Sequence, residues 1–190
     1  MSDFSDRPER SFAPGTTRTD SRVPPHNLDA EASLLGAMLL NEEPIGLAIE
    51  QQLVPEDFYK PAHGHVFAAI KALSQAADAV DVVTVADELR RHNLIDELGG
   101  LNFLLELQNA TPSISSAGRY ITIVRDTSIL RRLIKGASEI ADIGYSAPAD
   151  IKIAIDKAEQ IVFDIGDEQI TDSLQKLHDL TGIVIPILES

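Results

Sequence analysis

The 190-residue chain has no cysteine and no tryptophan. Without cysteine there can be no disulfide, no thiolate metal site and no cysteine nucleophile. That fits a reducing compartment, and a cytoplasmic location is expected. Aromatic residues make up only 5% of the chain. No apolar run approaches the roughly 18 residues of a membrane-spanning helix, so no membrane partner is expected. The first residues, Met-Ser-Asp-Phe-Ser-Asp-Arg, lack the apolar centre of a secretion signal.

Positive charge is also scarce. Sixteen Lys and Arg face thirty Asp and Glu, a formal net charge of −14. Proteins grip nucleic acid largely by neutralising its phosphates, so a surface this acidic repels DNA unless its cations segregate. The densest basic cluster is Arg131, Arg132 and Lys135. Three cations are a modest patch, read most simply as a solvated helix face or a protein contact and less simply as a DNA contact.

The usual signatures of catalysis are missing too. No Gly-x-x-x-x-Gly-Lys-Ser/Thr sequence occurs. These residues therefore hold no Walker-type backbone cradle for triphosphate, no lysine for its outer phosphates and no magnesium-binding hydroxyl within one. Gly-x-Gly-x-x-Gly and Gly-x-Ser-x-Gly are absent as well. His63 and His65 stand two apart and would diverge on a helix, so they make a poor joint metal site. The acidic pairs Asp87-Glu88 and Asp96-Glu97 read as solvated helix faces. No catalytic activity, cofactor or metal is expected of these 190 residues.

What is present is helical periodicity. Hydrophobic residues form 44% of the chain, enough for a real core. Residues 1–22 are polar and aperiodic and read as a disordered tail. Pro24-Pro25 then enforces an extended entry. Asn27 is a good N-cap, with Asp29 and Glu31 suited to the first helical turn. Leu28, Leu34, Leu35, Met38 and Leu39 recur at helical spacing. Further helices are expected near 44–51 and 62–76, the latter after a turn that buries an aromatic at Pro55–Tyr59. A fourth is expected after Asp81–Thr84, with Thr84 as its cap, and a fifth after Gly99-Gly100, ending before Pro112.

From Ser116 to Gly144 there is no proline, and apolar residues recur throughout. This predicts one long helix, with Gly144 closing it and Asp150 capping a return helix through Ile165. Two helices alone cannot bury so long an apolar stripe. It packs either on another copy or protein, or back on the first five helices. A further helix is expected around Leu174, Leu177 and Leu180; Gly182 and Pro186 leave the apolar stretch after it hard to place.

Several segments carry a resemblance. Val23-Pro-Pro-His-Asn-Leu-Asp-Ala-Glu-Ala-Ser-Leu-Leu-Gly is followed by Pro55-Glu-Asp-Phe-Tyr59, then by Asp81-Val-Val-Thr-Val-Ala-Asp-Glu-Leu89. Gly99-Gly100, Thr111-Pro-Ser113 and Ile123-Val-Arg125 follow, then Leu130-Arg-Arg-Leu-Ile134. Each motif is weak alone. Their collinear run over residues 23 to 166 resembles the N-terminal part of the bacterial replicative DNA helicases, the DnaB family.

The resemblance implies an all-α fold: a helical head at 23–113, a helical hairpin at 114–167 and a linker segment at 168–190. In that family the hairpins pair, three pairs form a collar on a hexamer, and primase docks on the collar. The implied partners are therefore other copies of the chain, primase and a helicase loader. ATP and magnesium would belong to a RecA-like motor, which these residues do not contain. The resemblance offers Asp29, Phe103, Arg131, Ile134 and Ile140 as candidate contacts for dimerisation or primase; Phe103 and Ile140 are read more simply as core. The alternative is a free-standing helical adaptor that binds primase or helicase. Two departures stand out: the phosphate loop is absent, and Leu180–Leu188 is more apolar than the resemblance implies for a linker.

The charge balance makes a direct prediction. Fluorescence anisotropy with labelled single-stranded DNA at physiological salt is expected to show weak binding by the chain. A tight, salt-sensitive complex would overturn the electrostatic argument.

Overall fold

The computed structural model describes residues 23–166. The tail expected at 1–22 and the linker expected at 168–190 lie outside the described residues. Those described form seven α-helices and no strand. The helices are α1 (Leu28–Leu40), α2 (Glu43–Glu50), α3 (Pro61–Gln75), α4 (Val82–Arg91), α5 (Leu101–Asn109), α6 (Ala117–Tyr145) and α7 (151–166). Short 3₁₀ turns at Pro55–Asp57 and Ile114–Ser116 precede α3 and α6. The all-α expectation is met.

Helix α1 is the central element, packing on α2, α3, α5 and α6. Its N-cap is Asn27, whose Oδ1 accepts the Ala30 amide at 2.9 Å. From Ser33 to Leu39 every residue of α1 is buried, so this helix is apolar almost all round, as a core helix must be. Leu28 is the exception on the expected apolar face, at 40% exposed.

Around α1 the core gathers Leu53, Val66, Phe67, Ile70, Val85, Leu89 and Leu104. Each such side chain contributes about 1.5–3 kcal/mol when fully buried. Phe58 completes the aromatic centre, its ring 5.1 Å from that of Phe67, as expected of the Pro55–Tyr59 turn.

Two expected helix ends differ from the structure. Helix α4 starts at Val82, and its cap is Asp81, not Thr84. The Asp81 carboxylate accepts the Val83 and Thr84 amides, and the Thr84 hydroxyl accepts the Asp81 amide. The two residues form a reciprocal box, and Thr84 is its second member. Helix α6 runs through Gly144 to Tyr145. The left-handed residue that turns the chain is Ala147, with φ 44°, so Gly144 is an ordinary helical residue. Asp150 caps α7 as expected, accepting the Lys152 and Ile153 amides.

Helix α6 has two environments. Ala117, Ile121, Val124 and Ser128 are buried in the head. Beyond Arg132, Leu133, Ile134, Lys135 and Ala137 are exposed. Here α7 returns alongside, and a Cβ added at Gly136 would stand 2.8 Å from Ile165 Cδ1 and 3.0 Å from Ile161 Cγ2. The apolar stripe is therefore divided: its first turns, with Ile121 and Val124, pack on the first five helices, and the part beyond Arg132 does not.

A second close approach joins α1 to α5. A Cβ at Gly36 would lie 2.0 Å from the Leu107 carbonyl oxygen and 2.2 Å from Thr111 Oγ1. Ser33 and Thr111 tie the same seam. The Ser33 hydroxyl donates to the Ala110 carbonyl, and the Thr111 hydroxyl donates to the Ser33 carbonyl. A backbone carbonyl cannot swing aside as a side chain can. Gly36→Ala is therefore expected to destabilise the chain by about 1–3 kcal/mol, read from the urea midpoint. An unchanged midpoint would contradict this packing.

Candidate protein interface and its anchoring network

Six polar residues, Glu31, Asp57, His63, Ser128, Arg131 and Arg132, meet where α1, the Pro55–Asp57 turn, α3 and α6 converge. Glu31, in the second position before the buried run of α1, is fully buried. Its Oε1 accepts the Tyr59 amide at 2.7 Å and its Oε2 the Lys60 amide at 3.4 Å. Nδ1 of the buried His63 lies 2.8 Å from Oε2. A carboxylate can only accept, so Nδ1 carries the proton of that bond. Burial pushes the Glu31 carboxyl up, but the bonds from His63, Tyr59 and Lys60 outweigh it and hold its pKa below the ordinary value.

Asp57 is buried beside this group. Its Oδ2 accepts the Val54 amide at 3.0 Å, and its Oδ1 accepts the hydroxyl of buried Ser128 at 2.7 Å. An Arg132 guanidinium nitrogen lies 3.6 Å from Oδ1. Arg131 donates to the Asp57 carbonyl at 2.6 Å and to the Pro25 carbonyl at 2.9 Å. Burial lowers the Arg131 pKa from its ordinary value, against the raising effect of Glu31, Asp57 and Tyr59. The guanidinium stays charged.

Aromatic rings cover the network. His26 stacks on Tyr59 with centroids 4.2 Å apart, and the Arg131 guanidinium lies 5.8 Å from the Tyr59 centroid. Phe103 lies parallel to His63 at 6.0 Å, with the Lys60 ammonium 4.7 Å from its ring centre. A groove of about 400 Å³ opens alongside, lined by Val54, Glu56, Asp57, Ser128, Arg131, Arg132 and Lys135.

The candidate contact residues fall in different surroundings. Asp29 is exposed on the first turn of α1. Phe103 is half-buried against His63 and Lys60, and Arg131 is half-buried in the network. Ile134 is 52% exposed and Ile140 half-buried, both on the projecting part of α6. The network brings Arg131 and Phe103 to one side of the head, while Ile134 and Ile140 belong to the hairpin. Glu31, His63 and Asp57 were not among the candidates. Their bonds to Tyr59, to each other and to Ser128 span 28 to 71 residues of sequence, beyond the reach of any local pattern.

The projecting hairpin carries an exposed apolar ladder. Leu130, Ile134, Ala137 and Ala141 on α6 are exposed and spaced 4-3-4. On α7, Ile151, Ile155, Ala158 and Val162 repeat that spacing, with Ala158 half-buried and the other three exposed. Alternate steps of four and three average 3.5 residues, the repeat that keeps a seam on one side of packed helices. From the inward-facing residues, Gly136 on α6 and Ile161 and Ile165 on α7, the antiparallel geometry turns both ladders to the same side of the hairpin.

The Glu31 network predicts a pH dependence. A carboxyl whose folded pKa is lowered adds stability above its unfolded pKa and loses it as pH falls through the folded value. Glu31→Gln is expected to cost about 3–5 kcal/mol at neutral pH, since it removes the charge that satisfies a buried cluster. Stability of the variant should also fall less steeply than that of the parent between neutral and acid pH. Urea unfolding at both pH values checks this, and parallel slopes would refute the role given to Glu31.

The family described as DnaB-like helicase N terminal domain matches residues 23–126, more than half of the chain. The replicative DNA helicase DnaC of Bacillus subtilis (strain 168) is 34% identical over 165 residues, 87% of this chain and 36% of that protein. The replicative DNA helicase DnaB of Mycobacterium leprae (strain TN) is 36% identical over 161 residues, 84% of this chain and 26% of that protein. The chain thus spans 26–36% of the length of these curated relatives. Among solved structures, the crystal structure of the N-terminal domain of DnaB helicase from Mycobacterium tuberculosis has a TM-score of 0.71 and 38% identity. That match covers 74% of this chain and 99% of the other. A DnaB-like replicative helicase, solved in a study of its interactions with primase, has a TM-score of 0.60 at 24% identity; it covers 80% of this chain and 35% of the other, a likeness of fold alone. The motif order from Val23 through α6, the all-helical head and these relatives agree: the chain belongs to the DnaB-like helicase N-terminal domain family.

Proposed function

We propose that these residues act as a non-catalytic collar of a replicative DNA helicase, pairing with other copies of the chain and docking primase during DNA replication. The observation that carries this reading is the exposed 4-3-4 apolar ladder on both helices of the hairpin. Isolated exposed leucines need no explanation, but an aligned apolar stripe on two helices does. Two hairpins packed through their ladders would form a four-helix arrangement and remove that surface from water. The acidic composition suits a part that contacts proteins and leaves the grip on DNA to a motor domain.

In this reading ATP hydrolysis, with its magnesium, belongs to a RecA-like motor and not to these residues. The hexamer is a trimer of hairpin-paired dimers. Primase and a helicase loader approach the collar, with Asp29, Phe103, Arg131, Ile134 and Ile140 as the candidate contacts.

The seam makes its own prediction. Sedimentation over a concentration series is expected to show dimers or larger species for the chain, and a shift towards monomer for Ile134→Asp combined with Ile155→Asp. Both positions are exposed, so their charges should leave the fold intact. Monomer alone in the parent would sink the pairing. Titration with the C-terminal region of the cognate primase tests docking, and no binding would remove it.

A further inference from the structure

The geometry points to a second role for the extended arm before α1: residues Val23–Asn27 act as a strap that sets the angle between head and hairpin, buckled by Arg131. This inference concerns the joint within one chain and holds whatever the chain assembles into.

Arg131 sits where α6 leaves the head. Ser128, one turn earlier, is buried at 3% exposure; Leu133 and Ile134, just beyond, are 46% and 52% exposed. At this point a single planar guanidinium binds two carbonyls from different parts of the chain. One is Asp57 in the head, at 2.6 Å, and the other is Pro25 in the arm, at 2.9 Å. The arm is held a second time through its own ring. His26 stacks on Tyr59 at 4.2 Å, while His26 Nδ1 lies 2.8 Å from the Pro24 carbonyl. Tyr59 is itself fixed, because its amide donates to buried Glu31.

Among the described residues, the arm's other hydrogen bonds are those by which Asn27 caps α1. Val23, Pro24 and His26 are exposed, and Pro25 is half-buried. Two successive prolines make the arm stiff, so a bond at Pro25 positions the whole segment. The second link between α6 and the turn runs from Ser128 and Arg132 to Asp57. Helix α6 is seated in the head through Ala117, Ile121, Val124 and Ser128, and these buried contacts end one turn before Arg131. The arm adds an attachment beyond the last of them, where the helix leaves the head and a restraint acts most directly on the projecting part. Arginine is needed because its fork can meet two acceptors at once, whereas lysine presents a single ammonium.

Absence of cysteine makes the test simple. Labels are placed on exposed Ala72→Cys in α3 and exposed Glu159→Cys in α7 of the 190-residue chain. Labelled chain is diluted in excess unlabelled chain, so that only distances within one chain are read by pulsed electron paramagnetic resonance. The parent is expected to give one narrow distance distribution. Arg131→Met should give a broad or two-peaked one, Arg131→Lys an intermediate one, and the exposed control Arg90→Met no change. Hydrogen exchange at Ala30 and Glu31, whose amides are held by Asn27, should speed up about tenfold or more in Arg131→Met. That corresponds to one lost charge-assisted bond. Should Arg131→Met lose protection across the whole core, Arg131→Lys and His26→Ala decide the matter. An unchanged distance distribution in those variants overturns the strap.

Discussion

A carboxylate shut away from water organises this fold. Glu31 lies on the most buried helix and offers two oxygens where no water can reach them. Three donors from the chain between Tyr59 and His63 satisfy them. An unpaired charge in that position would cost several kcal/mol, so α1 and the start of α3 must meet in one arrangement. Hydrophobic burial alone is less particular, since it rewards many ways of packing leucines. The turn fixed by Glu31 also presents Asp57 to α6, and Asp57 in turn holds Ser128 and Arg132. Head, turn and hairpin are thus joined in sequence through two acidic side chains.

Helix existence was legible in the sequence because apolar spacing and proline placement are local signals. The seven helices lie close to where periodicity puts them, and Asn27 and Asp150 cap as their types suggest. The ends were harder to read. Thr84 and Asp81 both suit a cap, and only the bonds between them show which residue stands outside the helix. Gly144 looked like the natural turn residue, yet the helix continues through it to Tyr145 and Ala147 takes the left-handed conformation.

The interior polar network was invisible for a different reason. An acidic residue in the first turn of a helix reads as a partner of the helix dipole, and that account of Glu31 is complete at the level of sequence. Nothing local distinguishes it from exposed Asp29 two residues earlier. Likewise Arg131 and Arg132 read as a solvated cationic face, whereas both reach inward to the turn at Asp57. The distinguishing information is the tertiary meeting of segments far apart in the chain. The hairpin stripe, by contrast, was readable as too long for two helices, and the structure supplied its layout: an apolar ladder on the side that neither helix covers.

The glycine at 136 has a consequence for how the hairpin tolerates change. Ile161 and Ile165 seat against the space its missing side chain leaves, so α7 is indexed to α6 at a notch well below the connecting turn. The alignment of the two apolar ladders is therefore measured from the base of the hairpin and not from its tip. A change in residues 146–149 acts on the turn, where Ala147 holds the left-handed conformation, as a change in a cord acts between two pegged rods, without sliding one ladder past the other. A shift by one residue at the notch, in contrast, would push a side chain into the isoleucines and throw the rungs out of step along the whole length.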